Sequence, residues 1–365
     1  MKRIIFCADG TWDNKSTNTN VCKFFSALQT SADQIPFYDS GVGADGNPLE
    51  KIVGGAFGTG LFQKIKNGYT RIAHVYEKGD EIYLFGFSRG AYTARSLGGM
   101  IAICGLPTGS FSDDLVDTAF DAYRQKDKRA ALLQKLSGSG MFQPDINMIG
   151  VWDTVGSLGI PAVFGGVSPL LYGFLDTALH PNVKHAYQAL AIDERRSEFP
   201  PTLWTSQPVE GQTIEQVWFC GVHSDVGGGE PVKGNGPTTA LSDITLSWMM
   251  KKAQSLGVVF DPEALKLYSY PLDSKYALDQ LHDSWNPLWG FPRRRTVQPN
   301  SVLSNSVLIR CRSHDGYHPG NLTLENGLPS SAYQIMEVVA AAIEEALHVQ
   351  KAEAQVTSSG AGGGN

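Results

Sequence analysis

Short apolar runs alternate with amphipathic segments along most of the chain. The runs are RIIFCA, EIYLFGF, INMIGVWD, AYQALAID, QVWFCGV and SVLIRC. Such short, continuous runs are typical of strands that are buried on both faces of a parallel sheet. Between them, apolar residues recur at helical spacing near residues 62–78, 91–103, 113–136, 238–256 and 331–348. Strands alternating with helices predict an α/β fold with a mainly parallel sheet and helices on both faces.

A single enlarged domain over residues 1–350 accounts for this pattern. The chain has 365 residues, of which 42% are hydrophobic, so it can bury a large core. Three segments interrupt the alternation and are interpreted as insertions, near residues 105–140, 160–183 and 257–330. The last residues, 351–365, are small, polar and rich in Gly, which predicts a disordered tail.

Composition and charge narrow the class of protein. The formal net charge of -6 argues against a nucleic-acid partner. No stretch approaches the roughly 18 apolar residues of a membrane span, and the apolar run in MKRIIFCADG is too short for a signal peptide. The five cysteines are scattered and never form a C-x-x-C, so they suggest neither a disulfide framework nor a zinc site. We therefore expect a cytoplasmic protein, or one secreted without a signal peptide.

The stretch LFGFSRGAYTAR carries the clearest chemical signal. Ser88 is the centre of a G-x-S-x-G pattern, with Gly86 and Gly90 on either side, and it lies between an apolar run and a helical pattern. A serine on a sharp turn from strand to helix is the signature of a nucleophile elbow. The alternative interpretation is an ordinary serine at a helix N-cap.

Acids and a histidine follow the other predicted strands. In a parallel sheet the carboxyl ends of the strands meet at one edge, where chemistry collects. A serine nucleophile needs an imidazole base and a carboxylate that orients it, and the chain order Ser88, acid, His223 is that of α/β hydrolases. Asp153 is the first choice of acid and Asp193 its alternative, while His314, with the nearby His318, is the alternative base.

Two further expectations concern the oxyanion and a rival chemistry. The backbone N–H of Arg89 should stabilise the oxyanion, together with Gly10 or Thr11 after the first strand. Carboxylates and imidazole at strand ends could instead hold a cation, in a metal-dependent phosphoesterase that uses Asp9, Asp153, His223 and Asp225. A protein that keeps the fold but only binds or regulates is another alternative.

Several long motifs, in order, resemble the DUF2235 family. They are FCADGTWDN, SGVGADG, GGAFGTG, GDEIYLFGFSRGAYTARSLGGMI, VWDTVGSLG, ALAIDERRSEFPPTLW and VWFCGVHSDVGGG. This family of α/β-hydrolase-like proteins includes the Tle1-type phospholipase effectors of bacterial type VI secretion. The resemblance covers most of the chain to about residue 255.

The resemblance implies a serine hydrolase of lipid esters. It places the nucleophile at Ser88, the acid at Asp153 and the base at His223, and it requires no metal or cofactor. The implied substrate is an acyl ester, in particular a phospholipid, with a small soluble ester as the alternative. Implied partners are a membrane surface, touched transiently, and a secretion or immunity protein. The apolar segment at 160–183 would then be a lid or an acyl-chain wall, with core packing as the alternative.

Overall fold

The computed structural model describes residues 1–10, 17–41, 56–156, 177–230, 240–313 and 316–340. Thr11 and His314 lie outside these ranges, as do residues 160–176 of the predicted second insertion and the predicted tail at 351–365. No helix among the described residues has the length and apolar character needed to cross a bilayer.

Within these ranges, eight strands form one parallel sheet. They are β1 Arg3–Ala8, β2 Gln34–Asp39, β3 Glu81–Phe87, β4 Ile146–Trp152, β5 Val183–Ala191, β6 Thr213–Phe219, β7 Val302–Ser304 and β8 Gln334–Met336. Their spatial order is β8-β7-β6-β5-β4-β3-β1-β2, and every neighbouring pair is parallel. The strand order reverses between β1 and β3, and at such a switch point the strand ends leave a crevice for a ligand.

Helices cover both faces of this sheet. They are α1 Asn20–Ala27, α2 Ala56–Val75, α3 Arg89–Cys104, α4 Asp113–Arg124, α5 Arg129–Leu136, α6 His223–Gly227, α7 Leu241–Ser255, α8 Pro262–Leu267 and α9 Asn305–Ser313. Alternate residues of β1 enter different cores: Ile5 packs with α1 and α7, and Ile4 packs with α2, α3 and α4. The predicted α/β fold, with helices on both faces, is confirmed.

The predicted insertions have ordered structure where they are described. Near 105–140, α4 and α5 are enclosed by an antiparallel ladder of Leu106–Pro107 with Met141–Phe142. The region 257–330 does more than cover the sheet, because it contributes β7 to it and packs into the core through Ala277, Val297 and Leu303. Short elements complete this part. They are 3₁₀ turns at Ser274–Leu278 and Pro287–Trp289, and two-residue ladders of Leu272–Asp273 with Val339–Ala340 and Leu324–Glu325 with Leu328–Pro329.

Two local predictions were wrong. The run SVLIRC was interpreted as a strand but lies in helix α9, since a short apolar run does not by itself distinguish a strand from a buried helix. The helix predicted near 331–348 is absent from its described part, where Gln334–Met336 and Val339–Ala340 are strands. Both errors fall near the edge of the sheet, where packing against neighbouring segments decides the conformation.

The turn from β3 to α3 brings backbone segments into direct contact. A Cβ atom on Gly86 would lie 2.4 Å from the carbonyl oxygen of Gly90, and one on Gly90 would lie 2.1 Å from that of Ala8. These obstacles are backbone atoms, which cannot rotate away as a side chain could. The glycines of the G-x-S-x-G pattern are therefore required by the close approach of α3 to the ends of β1 and β3.

We predict that Gly90→Ala lowers the free energy of unfolding by about 3 kcal/mol or more, because the added methyl group forces the backbone apart. Gly138→Ala is the matched control, since nothing lies within 4 Å of its added Cβ atom. The control should change stability by less than about 1 kcal/mol. Urea unfolding followed by circular dichroism measures both, and equal stability of the two variants would contradict the account of the elbow.

Candidate active site

Ser88 occupies a strained turn between β3 and α3. Its φ of 57° and ψ of -121° lie in a region that residues with a side chain seldom adopt. Although Ser88 stands at the N-cap position of α3, its side chain makes no capping hydrogen bond. The Ser88 amide instead extends the sheet by donating to the carbonyl of Trp152 at 3.0 Å. The hydroxyl is thus turned away from the helix and toward the carboxyl ends of the strands.

His223 faces this hydroxyl from the first turn of α6. The distance between its Nε2 and Ser88 Oγ is 2.8 Å. The rings of Phe87 and Phe199 flank the imidazole, with centroids at 4.6 and 5.0 Å. Ser88 is only 4% exposed and His223 only 6% exposed. The pair therefore has little access to water.

Asp153 binds the other side of the imidazole. Its Oδ2 lies 2.5 Å from His223 Nδ1, and its Oδ1 accepts a hydrogen bond from the Ala191 amide at 3.0 Å. The residue directly follows β4, has a φ of 42° and is completely buried. Strands β3, β4 and β6 therefore bring Ser88, Asp153 and His223 into one hydrogen-bonded row.

Burial and charge act in opposite directions on the pKa values of this row. Burial alone would raise the pKa of Asp153, but the charge of Arg295 and the hydrogen bond with His223 hold it well below its ordinary value. Burial lowers the pKa of His223, and the hydrogen bond and charge of Asp153 offset this only in part. At neutral pH the carboxylate is ionised, so the proton of a neutral His223 stays on Nδ1 and Nε2 can accept one from Ser88.

Arg295 is a member of the site that sequence reasoning missed. Its Nη1 donates to Asp153 Oδ1 at 2.6 Å and its Nη2 donates to Oδ2 at 2.8 Å, an arrangement of two parallel bonds. The same guanidinium donates to the carbonyls of Ala191 and Phe199. In the sequence, Arg295 belongs to the run RRR at 293–295. Such a run is equally typical of a charged segment exposed to solvent, so it did not point to Arg295 as a member of the site.

Glu194 is a second residue missed as part of this site. Its buried carboxylate accepts hydrogen bonds from the His223 amide at 3.2 Å and from the Arg196 guanidinium at 2.8 Å. Burial would raise the pKa of Glu194, but the hydrogen bond and charge of Arg196 lower it to about 2. A fixed negative charge therefore holds the backbone at the start of α6.

Asp193, the alternative acid, belongs to a different set of contacts. Its Oδ2 accepts hydrogen bonds from the Gly221 amide at 2.7 Å and from the Tyr317 hydroxyl at 2.9 Å. Burial raises the pKa of Asp193 to about 6, although both hydrogen bonds oppose this. The carboxylate on His223 Nδ1 is that of Asp153, and the alternative base His314 lies outside the described residues.

The structure describes two of the three residues that were expected to supply oxyanion donors, Arg89 and Gly10. Arg89 is the first residue of α3, so its amide directly follows Ser88 at the helix N-terminus. The Gly10 amide donates to Asp9 Oδ1 at 2.8 Å, which means that in this state it is turned toward that carboxylate. Thr11 lies outside the described residues. Both oxyanion donors therefore stay predictions: the Arg89 amide, and a second donor from the loop after β1.

The four residues of the alternative metal site are divided among separate networks. Asp9 accepts hydrogen bonds from Thr19 and Tyr38. Asp225 binds His282, with 2.5 Å between Oδ1 and Nδ1. Asp153 and His223 bind each other, as described above. In the described ranges, no three such side chains converge as metal ligands.

We predict that Arg295→Met destabilises the fold by about 3–5 kcal/mol at pH 7, because it leaves the ionised Asp153 buried without its cation. In an Asp153→Asn background the same change should cost at least about 1 kcal/mol less, since the charge is already gone. Arg294→Met, at an exposed neighbour, is the control. Urea unfolding of the set measures the coupling, and an equal cost of Arg295→Met in both backgrounds would contradict the ion-pair account.

Known proteins resemble this chain at the level of family and, more weakly, of structure. Residues 2–252 match the family described as T6SS phospholipase effector Tle1-like, catalytic domain. The uncharacterized protein YEL023C of Saccharomyces cerevisiae is 30% identical over 235 residues, and the match covers 57% of this chain and 33% of the yeast protein. The chain thus spans about a third of the length of this curated relative.

Two solved structures show a weaker likeness. An uncharacterized protein from Pseudomonas aeruginosa has a TM-score of 0.45 and 16% identity, over 73% of this chain and 48% of that protein. The Tle1 effector bound to the VgrG spike of the type 6 secretion system has a TM-score of 0.40 and 14% identity, over 79% of this chain and 82% of the effector chain. The family match covers well over half of the sequence, and the chain belongs to the family of type VI secretion phospholipase effectors, as a Tle1-like catalytic domain.

Proposed function

We propose that this chain is a serine hydrolase that cleaves acyl esters of phospholipids. The observation that carries the proposal is the row from Ser88 Oγ to His223 Nε2 at 2.8 Å and from His223 Nδ1 to Asp153 Oδ2 at 2.5 Å. A strained serine, a neutral imidazole and an ionised carboxylate in this order are the components of acyl transfer through a serine.

In the first half of the reaction, Ser88 Oγ attacks the ester carbonyl while His223 Nε2 takes the hydroxyl proton. The carbonyl oxygen becomes an oxyanion, and the Arg89 amide at the start of α3 is one donor that would stabilise it. His223 then passes the proton to the leaving alkoxide, which departs as the alcohol of a lysophospholipid. The acyl group remains on Ser88 as an ester.

In the second half, water replaces the alcohol. His223 takes a proton from the water, whose oxygen attacks the acyl carbonyl, and returns the proton to Ser88 Oγ as the fatty acid leaves. Asp153 keeps the imidazole in the required tautomer throughout and stabilises its charged form. Arg295 holds Asp153 in place through two hydrogen bonds and touches neither Ser88 nor His223 in the contacts that the structure describes.

Family membership supports the choice of a phospholipid over a small soluble ester, because the matched catalytic domain is that of phospholipase effectors. The same membership supports a secretion partner and an immunity partner, both of which we propose on that ground alone. Burial of Ser88 and His223 among apolar rings suits an acyl chain better than a charged substrate.

We predict that the wild type releases fatty acid from phospholipid vesicles and cleaves a short-chain nitrophenyl ester, and that Ser88→Ala lowers both rates by a factor of about 10⁴ or more. Ser96→Ala is the matched control, at a buried serine of helix α3, which follows Ser88, and should keep both activities. Ester cleavage without fatty-acid release would point to soluble esters. Turnover that survives in Ser88→Ala would contradict the proposed nucleophile.

The pH dependence follows from the lowered pKa of His223. The imidazole accepts a proton only in its neutral form, so kcat/KM should rise with pH along an acid limb and level off near neutrality. Because burial lowers this pKa, the midpoint of the limb should lie below the ordinary 6.5. Rates on a nitrophenyl ester from pH 4.5 to 8, with circular dichroism to verify folding, measure it. A midpoint at or above 6.5 would contradict the lowering of the His223 pKa by burial.

A further inference from the structure

A loop rich in aromatic residues directly precedes Arg295 in the chain. The loop, residues 283–294, carries Trp285, Trp289 and Phe291. Phe291 is 93% exposed, more than any other large hydrophobic residue in the part of the chain that the structure describes. A phenylalanine held in water in this way is unusual and suggests a surface that the ring contacts.

The loop is fixed to the protein on both sides of Phe291. The Arg293 amide donates to the carbonyl of Arg195 at 2.7 Å, and the Trp285 indole donates to the carbonyl of Gly290 at 3.1 Å. The guanidinium of Arg195 also lies 5.8 Å from the centre of the Trp285 ring. Phe291 therefore projects from an anchored loop, and its exposure is a consequence of how the loop is held.

Aromatic contacts lead from the loop to the candidate active site. The ring of Trp289 meets Phe199 edge to face, with centroids 5.5 Å apart. Phe199 in turn lies 5.0 Å from the imidazole of His223. The loop is thus separated from the proposed base by one side chain, which places it at the rim of the site.

Positive charge accompanies the exposed ring. Arg293 and Arg294 are exposed, and neither forms an ion pair within the described ranges. In contrast, Arg195 and Arg196 are neutralised by Asp283 and Glu194. The whole chain has a net charge of -6, so this local excess of arginine runs against its overall charge. The surface that would complement this positive charge is anionic.

We propose that the aromatic loop docks this chain on the anionic surface of a phospholipid bilayer. Phe291 enters the region between headgroups and acyl chains, the half-buried Trp289 lies behind it, and Arg293 and Arg294 contact lipid phosphates. A projecting ring beside two exposed arginines, neither of which has an ion pair among the described residues, suits such a soft, anionic partner. The inference rests on the proposed function in one respect: docking at the rim of the site presents a phospholipid ester to Ser88.

Vesicle binding tests the docking independently of catalysis. The parent protein is Ser88→Ala, which leaves the vesicles intact, and the probes are vesicles of phosphatidylcholine alone or mixed with phosphatidylglycerol. Sedimentation should show that the parent binds the mixed vesicles more tightly. Phe291→Ser should weaken that binding at least about tenfold. Arg293→Gln and Arg294→Gln should each weaken it about fivefold.

Leu267→Ser is the matched control, because Leu267 is 62% exposed on α8 and lies outside the loop. It should bind vesicles as the parent does. Absence of parent binding to the mixed vesicles, or equal binding by the Phe291 and Leu267 variants, would overturn the docking proposal. Either result would instead favour a protein as the partner that the loop contacts.

Activity separates this inference from the proposed function. With Ser88 restored, Phe291→Ser should keep short-ester cleavage and lose most fatty-acid release from the mixed vesicles. If the loop variants lose vesicle binding while no variant hydrolyses any ester, the proposed function fails and the docking stands. If the wild type and the loop variants release fatty acid from the vesicles at the same rate, the docking fails and the proposed function stands.

Discussion

The fully buried carboxylate of Asp153 is the constraint around which this site is organised. An ionised carboxylate in a protein interior is costly unless cations and hydrogen bonds compensate it. Here the compensation comes from three parts of the chain: the Ala191 amide at the end of β5, the imidazole of His223 after β6, and the guanidinium of Arg295. The need to satisfy one carboxylate therefore draws the strand ends and the C-terminal region together.

This arrangement makes the C-terminal region part of the site. Arg295 lies outside residues 2–252, the part of the chain that matches the catalytic-domain family, yet it makes two hydrogen bonds to the proposed catalytic acid. The same segment supplies Trp289, which packs on Phe199 beside His223. The segment that exposes Phe291 and, four residues later, binds Asp153 through Arg295 therefore connects the site to the surface of the protein.

The sequence predicted what depends on local pattern and on strand ends. The apolar runs of β1, β3, β4, β5 and β6 indicated a parallel sheet, whereas β2 was not predicted. The rule that chemistry collects at the carboxyl edge of such a sheet led to Ser88, Asp153 and His223. Arg295 could not be found this way, because a long-range ion pair leaves no local periodicity. The helix at SVLIRC was mistaken for a strand for a related reason. A short apolar run of six residues is compatible with a strand and with a buried helix, and only tertiary packing determines which one forms.

The central claim is that Ser88 is an activated nucleophile, and covalent labelling tests it most directly. A fluorophosphonate reacts with a serine whose proton is taken by a neighbouring base, forming a phosphonyl ester and releasing fluoride. Intact-mass and peptide mass spectrometry should find one adduct, on Ser88, that is lost in His223→Ala and retained in Leu267→Ser. An unlabelled wild type, or an adduct on another serine, would contradict the account.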